Sequence, residues 1–236
     1  MNDILDTVNN ADFNSDFNVA MKMSEESFSY SQLIGFLKDG KDVEKQLAAL
    51  ELNEIKSKED AYALVSNLVG QDGKIREVVA FKINELVKNT QYRDFFIGEE
   101  FFELFLQGIM DINGNICRMV VELTQISEFR LFLAKKLPNC IENILLVIAN
   151  LEKDEKQYKI SKRNFQLYWS LEALFNIIEE VDVLKIKDIL LKTAEFEDYT
   201  IREKVAKILS KIDNPVLIAA KEKLIQDENY YVRRYL

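Results

Sequence analysis

The chain has 236 residues, and its 31 basic and 40 acidic side chains give a formal net charge of −9. It contains only 7 glycines and 2 prolines, which argues against an all-β fold because the turns between strands rely on these residues. The absence of histidine excludes Ser-His-Asp and Cys-His catalysis and histidine-ligated metals. Cys117 and Cys140 lie among apolar residues and are expected to be reduced, which predicts a cytoplasmic protein. The sequence has no signal-like start and no apolar run of membrane-spanning length, so we also predict that the protein makes no membrane contact.

The charge is unevenly distributed along the chain. Residues 1–118 contain 21 acidic and 12 basic side chains, which accounts for the net −9, whereas residues 119–236 contain 19 of each. Overall acidity argues against sequence-independent binding of nucleic acid, although the neutral second half has room for a local basic face. The acidic first half favours a protein partner with a basic segment.

The first 23 residues differ in composition from the rest. They are rich in Asn and Asp, contain no basic residue before Lys22 and have few apolar residues, so we predict a polar, mobile leader over 1–23. From residue 24 onward, apolar residues recur at three- and four-residue spacing, which is typical of amphipathic helices. We therefore predict a single helical domain over 24–236.

The predicted helices follow one another with short polar turns between them. They cover 31–38, 58–69, 99–110, 139–151, 183–193 and 215–226. A second set of helices begins at four similar polar turns, which are Asp72–Arg76, Asn113–Cys117, Asp198–Arg202 and Asn229–Arg233. A looser copy is Phe165–Ile178. Self-similarity at this spacing indicates a helical repeat protein.

These turn-and-helix units resemble HEAT repeats, and those of the first half are also similar to armadillo repeats. The resemblance covers about residues 30–236. It implies an all-α solenoid (α-α superhelix) of about five to six stacked helix pairs, because a unit of two helices cannot bury its apolar face alone. In two of the turns an aspartate precedes an arginine by four positions, and in the last turn an asparagine does, which predicts a structural ladder of ion pairs between adjacent units. Its members are Asp72, Arg76, Asp198, Arg202 and Arg233, and Asn113 and Cys117 interrupt it.

The leading prediction is a non-enzymatic scaffold that binds another protein through a concave face formed by the inner helices. The sequence has no glycine-rich phosphate loop, zinc-type cysteine set or nucleophile motif, so we predict no catalytic residue, no cofactor and no metal site. The candidate partner-binding residues are polar side chains expected to point outward from the inner helices. They are Lys82, Glu85, Glu122, Lys204, Lys207 and Lys211.

The alternative is nucleic-acid binding through a basic region of the second half. Basic residues recur every three positions from 153 to 163 and are followed by aromatic residues, a combination that suits phosphates and stacked bases. The same region is also consistent with a solvated loop between two helices. The candidates are Lys159, Lys162, Arg163 and Trp169. In this alternative the chain is similar to HEAT-like glycosylases that remove alkylated bases from DNA, although the acid nearest to Trp169 is Glu172 and the net charge is negative.

The last repeat stops soon after its turn. The chain ends at Leu236, where another inner helix is expected to begin. We therefore predict an incomplete last repeat, whose exposed end is available for a partner or for a second copy of the chain.

Overall fold

The computed structural model describes residues 27–151 and 157–236, and over these ranges the chain is helical and contains no strand. The predicted leader over 1–23 lies outside the described residues. The helices are α1 (Tyr30–Asp39), α2 (Asp42–Glu51), α3 (Lys58–Val65), α4 (Gly73–Lys88), α5 (Thr90–Arg93), α6 (Glu99–Ile109), α7 (Gly114–Glu122), α8 (Ser127–Ala149), α9 (Gln157–Asn176), α10 (Val183–Thr193), α11 (Tyr199–Leu209), α12 (Ile218–Ile225) and α13 (Tyr230–Arg233). Short 3₁₀ turns extend or precede several of them. The described residues divide into two compact units between Leu104 and Phe105.

In the first unit, α1 packs on α2 and α3, and α4 packs on α2 and α3. Two side chains fix the position of α1. The Asn67 amide is buried and donates to the carbonyls of Leu37, at the end of α1, and of Ala63, both at 2.8 Å. The Tyr30 hydroxyl donates to Asp60 at 2.8 Å and accepts from the backbone N–H of Lys56. These bonds tie the first helix pair to the second.

In the second unit, alternate helices along the chain pack on one another. The helix α9 packs on α7, on α8 and on α11, and α11 in turn packs on α13; α10 lies against α8 and α11. We call α7, α9, α11 and α13 the inner helices of this unit. Neighbour-to-neighbour stacking of this kind is typical of a solenoid, and the predicted all-α fold of stacked helices is confirmed.

The second helix of each pair begins one residue after the start of its predicted polar turn. In each turn the side-chain oxygen of an Asp or Asn accepts a hydrogen bond from the backbone N–H two residues later, at 2.8 to 2.9 Å. These capping residues are Asp72, Asn113, Asp198 and Asn229. Such caps satisfy backbone donors that have no partner within the helix. The repeated turn signal in the sequence is therefore a helix-capping signal.

The arginines of these turns donate hydrogen bonds to backbone carbonyls. Each guanidinium folds back over its own turn and donates to carbonyls five or six residues upstream. The bonds run from Arg76 to Gln71, from Arg202 to Phe196 and Glu197, and from Arg233 to Asp227 and Glu228. At the turn that lacks an arginine, the buried Cys117 thiol donates to the carbonyl of Asp111, again six residues upstream, at 3.2 Å.

Asp72 and Asp198 cap their own helices, and the predicted ladder over all its members stays a prediction. Arg202 bridges two adjacent helix pairs. Arg202 binds Asp227 of the following turn through two hydrogen bonds, from Nε to Oδ2 at 2.6 Å and from Nη2 to Oδ1 at 3.1 Å. Both side chains are largely buried, with 12% and 7% of their surfaces exposed.

Two further helix predictions differ from the structure. The stretch 139–151 is the second half of a longer helix, α8, which contains Pro138. Residues 157–163, expected to be a loop, form the first turns of α9. Ile160 lies in the same apolar stripe as Leu167 and Leu171, so the helix extends toward the N-terminus in spite of its basic residues. The remaining part of the predicted basic loop, 153–156, lies outside the described residues.

Candidate functional site

A row of lysines and aromatic rings lies along the contact between the inner helices α9 and α11. The lysines on α11 and in the turn after it are spaced i, i+3 and i+7. The residues of α9 that contact them are spaced i, i+4 and i+7, so they lie along one side of that helix. We call this row the lysine–aromatic seam. It consists of Tyr168, Glu172 and Phe175 on α9, Lys204 and Lys207 on α11, and Lys211 just after α11.

The centre of the seam is one carboxylate held by two ammonium groups. Glu172 accepts hydrogen bonds from Lys204 Nζ at 2.7 Å and from Lys207 Nζ at 2.8 Å. The three side chains are 18%, 12% and 23% exposed, respectively. Burial by itself would raise the pKa of Glu172, but the two lysines outweigh it and hold the pKa below its ordinary value. Burial would likewise lower the pKa of Lys204, and its bond to Glu172 raises it instead.

Aromatic rings of α9 lie against the ammonium groups of the three lysines. The Nζ atom of Lys204 lies 4.2 Å from the centroid of the Tyr168 ring. The Nζ atoms of Lys207 and Lys211 each lie 4.1 Å from the centroid of Phe175. These distances are within the range of cation–π attraction. The rings therefore hold three positive charges on one surface.

The seam carries an excess of positive charge, although the second unit as a whole is neutral. Three lysines face one carboxylate, and Lys211 is exposed and has no carboxylate partner among the described residues. The next inner helix continues the row with a balanced pair, in which Arg234 Nη2 donates to Glu203 at 2.8 Å and its guanidinium lies 4.8 Å from the Tyr235 ring. The local surplus of two positive charges contrasts with the acidic first half of the chain.

The other predicted partner-binding residues are placed differently. Lys82 was expected to point outward from α4, but it is 4% exposed and its Nζ pairs with the exposed Glu85 at 2.7 Å. The long aliphatic stem of lysine is buried readily when the charged end reaches a partner at the surface. Glu122 is exposed at the end of α7, on an inner helix of the second unit. It is not part of the seam.

The predicted nucleic-acid residues all lie on α9 and differ in their exposure. Lys159 is exposed, whereas Lys162 and Arg163 are half-buried on α9, and Arg163 donates to Gln166 at 2.8 Å. Trp169 is half-buried, with Phe165 and Tyr168 edge-on to its ring. The backbone at the start of α7 approaches the same indole closely, since a Cβ atom at Gly114 would lie 3.8 Å from it. The indole is therefore part of the helix packing.

Sequence reasoning identified the three lysines but missed their partners. Tyr168, Glu172 and Phe175 follow helical spacing on the side of α9 next to the one that carries the buried Leu167, Leu171 and Leu174. That spacing is visible in the sequence. The match between α9 and α11 is not, because it depends on how two helices about thirty residues apart are stacked.

Within residues 27–151 and 157–236, no group of three or more Cys, Asp or Glu side chains is arranged to hold a metal ion. In the same ranges, no helix combines the length and apolar character that crossing a membrane requires.

Comparisons with known proteins concern the fold only. No protein-family model matches the chain, and no curated protein matches it. Among solved structures the chain is similar to a designed armadillo repeat protein, YIII(Dq)4CqI, with 12% sequence identity and a TM-score of 0.46; the alignment covers 88% of this chain and 96% of that chain.

Proposed function

We propose that this chain is a non-enzymatic scaffold that binds a protein partner through the lysine–aromatic seam. The single observation that carries the proposal is the seam itself, in which aromatic rings and an ion-pair triad hold three lysines in place on stacked inner helices. Stacked helical repeats create extended surfaces suited to binding other proteins. The aromatic rings of the seam belong to a residue class that is enriched in protein interfaces.

Pre-ordering favours a binding role for these residues. A lysine on the surface usually loses side-chain entropy when a partner immobilises it, at about 0.5–1.5 kcal/mol for each side chain. Lys204 and Lys207 are already held by Glu172 and by the rings beneath them. Less entropy is therefore lost when a partner binds, which raises the affinity that the same contacts provide.

Nucleic acid is the less suitable partner. Tight binding to nucleic acid needs several cations to neutralise phosphates, typically six to ten, and draws its strength from the release of counterions. In the seam, Glu172 already neutralises part of the charge of Lys204 and Lys207, and Trp169 is packed against its neighbours. The prediction of a partner with a basic segment was drawn from the acidic first half and stays a prediction for that part of the chain.

The proposal is tested by quantitative affinity capture from a cell extract with three baits, which are the wild-type chain, Lys211→Glu and Lys185→Glu. Lys185 is exposed on α10, is not part of the seam and serves as the matched control. We expect a partner protein that is retained by the wild type and Lys185→Glu and lost by Lys211→Glu. Equal capture by the three baits, or salt-sensitive retention of nucleic acid in place of protein, would overturn the proposal.

A further inference from the structure

The ion-pair triad shows how this surface binds a carboxylate. Glu172 lies between two lysines that are three residues apart on α11, and it accepts one hydrogen bond from each. Lys207 lies on α11 and Lys211 in the turn just after it, and the ammonium groups of both lie against the same ring, Phe175. Lys207 thus faces Glu172 on one side and Lys211 on the other.

Lys207 and Lys211 are closely spaced like charges. Both Nζ atoms lie 4.1 Å from the centroid of the same ring, Phe175, so they are within about 8 Å of each other. Like charges at this separation repel, and they repel more strongly near apolar surface than in bulk water. Each ammonium has three N–H donors, and Glu172 uses one of those of Lys207. A second carboxylate placed between the two groups would relieve the repulsion and accept hydrogen bonds from both.

We propose that Lys207 and Lys211, over the Phe175 ring, form a binding position for an Asp or Glu side chain of the partner, and that the partner segment is acidic and extended. This inference rests on the proposed function and adds the chemistry of the partner. The carboxylate would bind as Glu172 binds between Lys204 and Lys207. The methylene groups of the incoming side chain would contact the Phe175 ring, which is half-buried and faces the same surface.

The four inner helices of the second unit set the length of such a segment. Stacked helices lie about 10 Å apart, so α7, α9, α11 and α13 extend over about 30 Å. An extended chain covers this distance with about nine residues. The segment would cross Phe175 near its middle and would reach Tyr231 and Tyr235 at one end, on or just after α13. Acidic residues are required near Lys211, and apolar or aromatic residues are suited to the tyrosines.

The test is a selection of random peptides of about twelve residues on the wild-type chain, followed by fluorescence anisotropy with the synthetic form of the most enriched peptide. We expect enrichment in Asp and Glu, and a loss of affinity of about tenfold both for Lys211→Gln and for the peptide in which the key acid is replaced by its amide. The two changes together should weaken binding little more than either alone, because they remove the same contact. Lys185→Gln should leave the affinity unchanged.

Each outcome separates this inference from the function on which it rests. Neutral or basic peptides that still depend on Lys211 would overturn the acidic partner and leave the protein-binding function in place. Effects of Lys211→Gln and of the peptide change that simply add would also overturn it, since independent changes do not share a contact. The absence of any enriched peptide would overturn an extended partner segment, while the capture experiment with Lys211→Glu and Lys185→Glu decides the function separately.

Discussion

The clearest quantitative expectation concerns Glu172, whose replacement by Gln keeps the shape of the side chain and removes its charge. The change weakens two charge-assisted hydrogen bonds, from Lys204 and Lys207, in a site where the three side chains are 12–23% exposed. A hydrogen bond to a charged group contributes about 1.5–3 kcal/mol when it is buried. Partial exposure lets the two ammonium groups regain water, so we expect Glu172→Gln to lower the free energy of unfolding by about 2 kcal/mol.

Urea unfolding followed by tryptophan fluorescence suits this measurement. Trp169 is the single tryptophan of the chain and lies on α9, so its signal reports on the second unit. With an m-value of about 2 kcal/mol/M, a loss of this size lowers the urea midpoint by about 1 M. Glu195→Gln is the matched control, because Glu195 pairs with Lys223 at the same distance, 2.7 Å, but on an open surface. Equal midpoint shifts for the two variants would refute the reasoning that burial strengthens the triad.

Three further changes probe other parts of the account. Gly70 has a φ of +75°, so Gly70→Ala should destabilise the first unit by about 1 kcal/mol. Gly73→Ala should not, because a Cβ atom at Gly73 would meet nothing within 4 Å. Urea unfolding followed by circular dichroism measures both variants, and equal losses of stability would contradict the role of the turn at Gly70. Arg202→Ala leaves the largely buried Asp227 carboxylate unpaired and should lower the free energy of unfolding by about 3 kcal/mol, as measured by urea unfolding followed by tryptophan fluorescence. A loss no larger than that for an exposed ion pair would show that the bridge contributes little. The bond from Arg202 lowers the pKa of Asp227, and the two lysines lower that of Glu172. Each carboxylate therefore stabilises the folded state when the pH is above its unfolded-state pKa, and this stabilisation is lost as the pH falls through its folded-state pKa. The difference in urea midpoint between the wild type and Glu172→Gln should accordingly narrow on acidification, and a constant difference down to strongly acidic pH would contradict that sign.

The helical fold was predictable because its signals are local. Apolar spacing and capping residues lie within one helix or one turn, and Asp198 and Asn229 marked the starts of their helices correctly. The helix α2, Asp42–Glu51, was missed; its buried residues are mainly small alanines, such as Ala48 and Ala49, which give a weak periodic signal. The basic start of α9 was read as a loop because its charges obscured the apolar stripe that begins at Ile160.

The candidate site was only partly predictable because its contacts cross from one helix pair to the next. Lys204 and Lys207 were identified by their position on an inner helix, but Glu172, their partner, lies more than thirty residues earlier. The spacing within one helix specifies which side chains share a face, whereas the stacking of helices decides which faces meet. The same reason explains Lys82. Its side of α4 is covered in the folded unit, a fact that the helix sequence alone does not contain.

The central claim is that the lysine–aromatic seam is a protein-binding surface, and photo-crosslinking in cells tests it most directly. A photoreactive side chain such as p-benzoylphenylalanine is placed at Ser210, which is exposed beside Lys211, or at the control position Lys185 on α10. The account predicts a discrete protein adduct from position 210, none from position 185, and loss of the adduct when Lys211→Glu is added. Adducts of equal yield from both positions, or an adduct at 210 that survives Lys211→Glu, would contradict it.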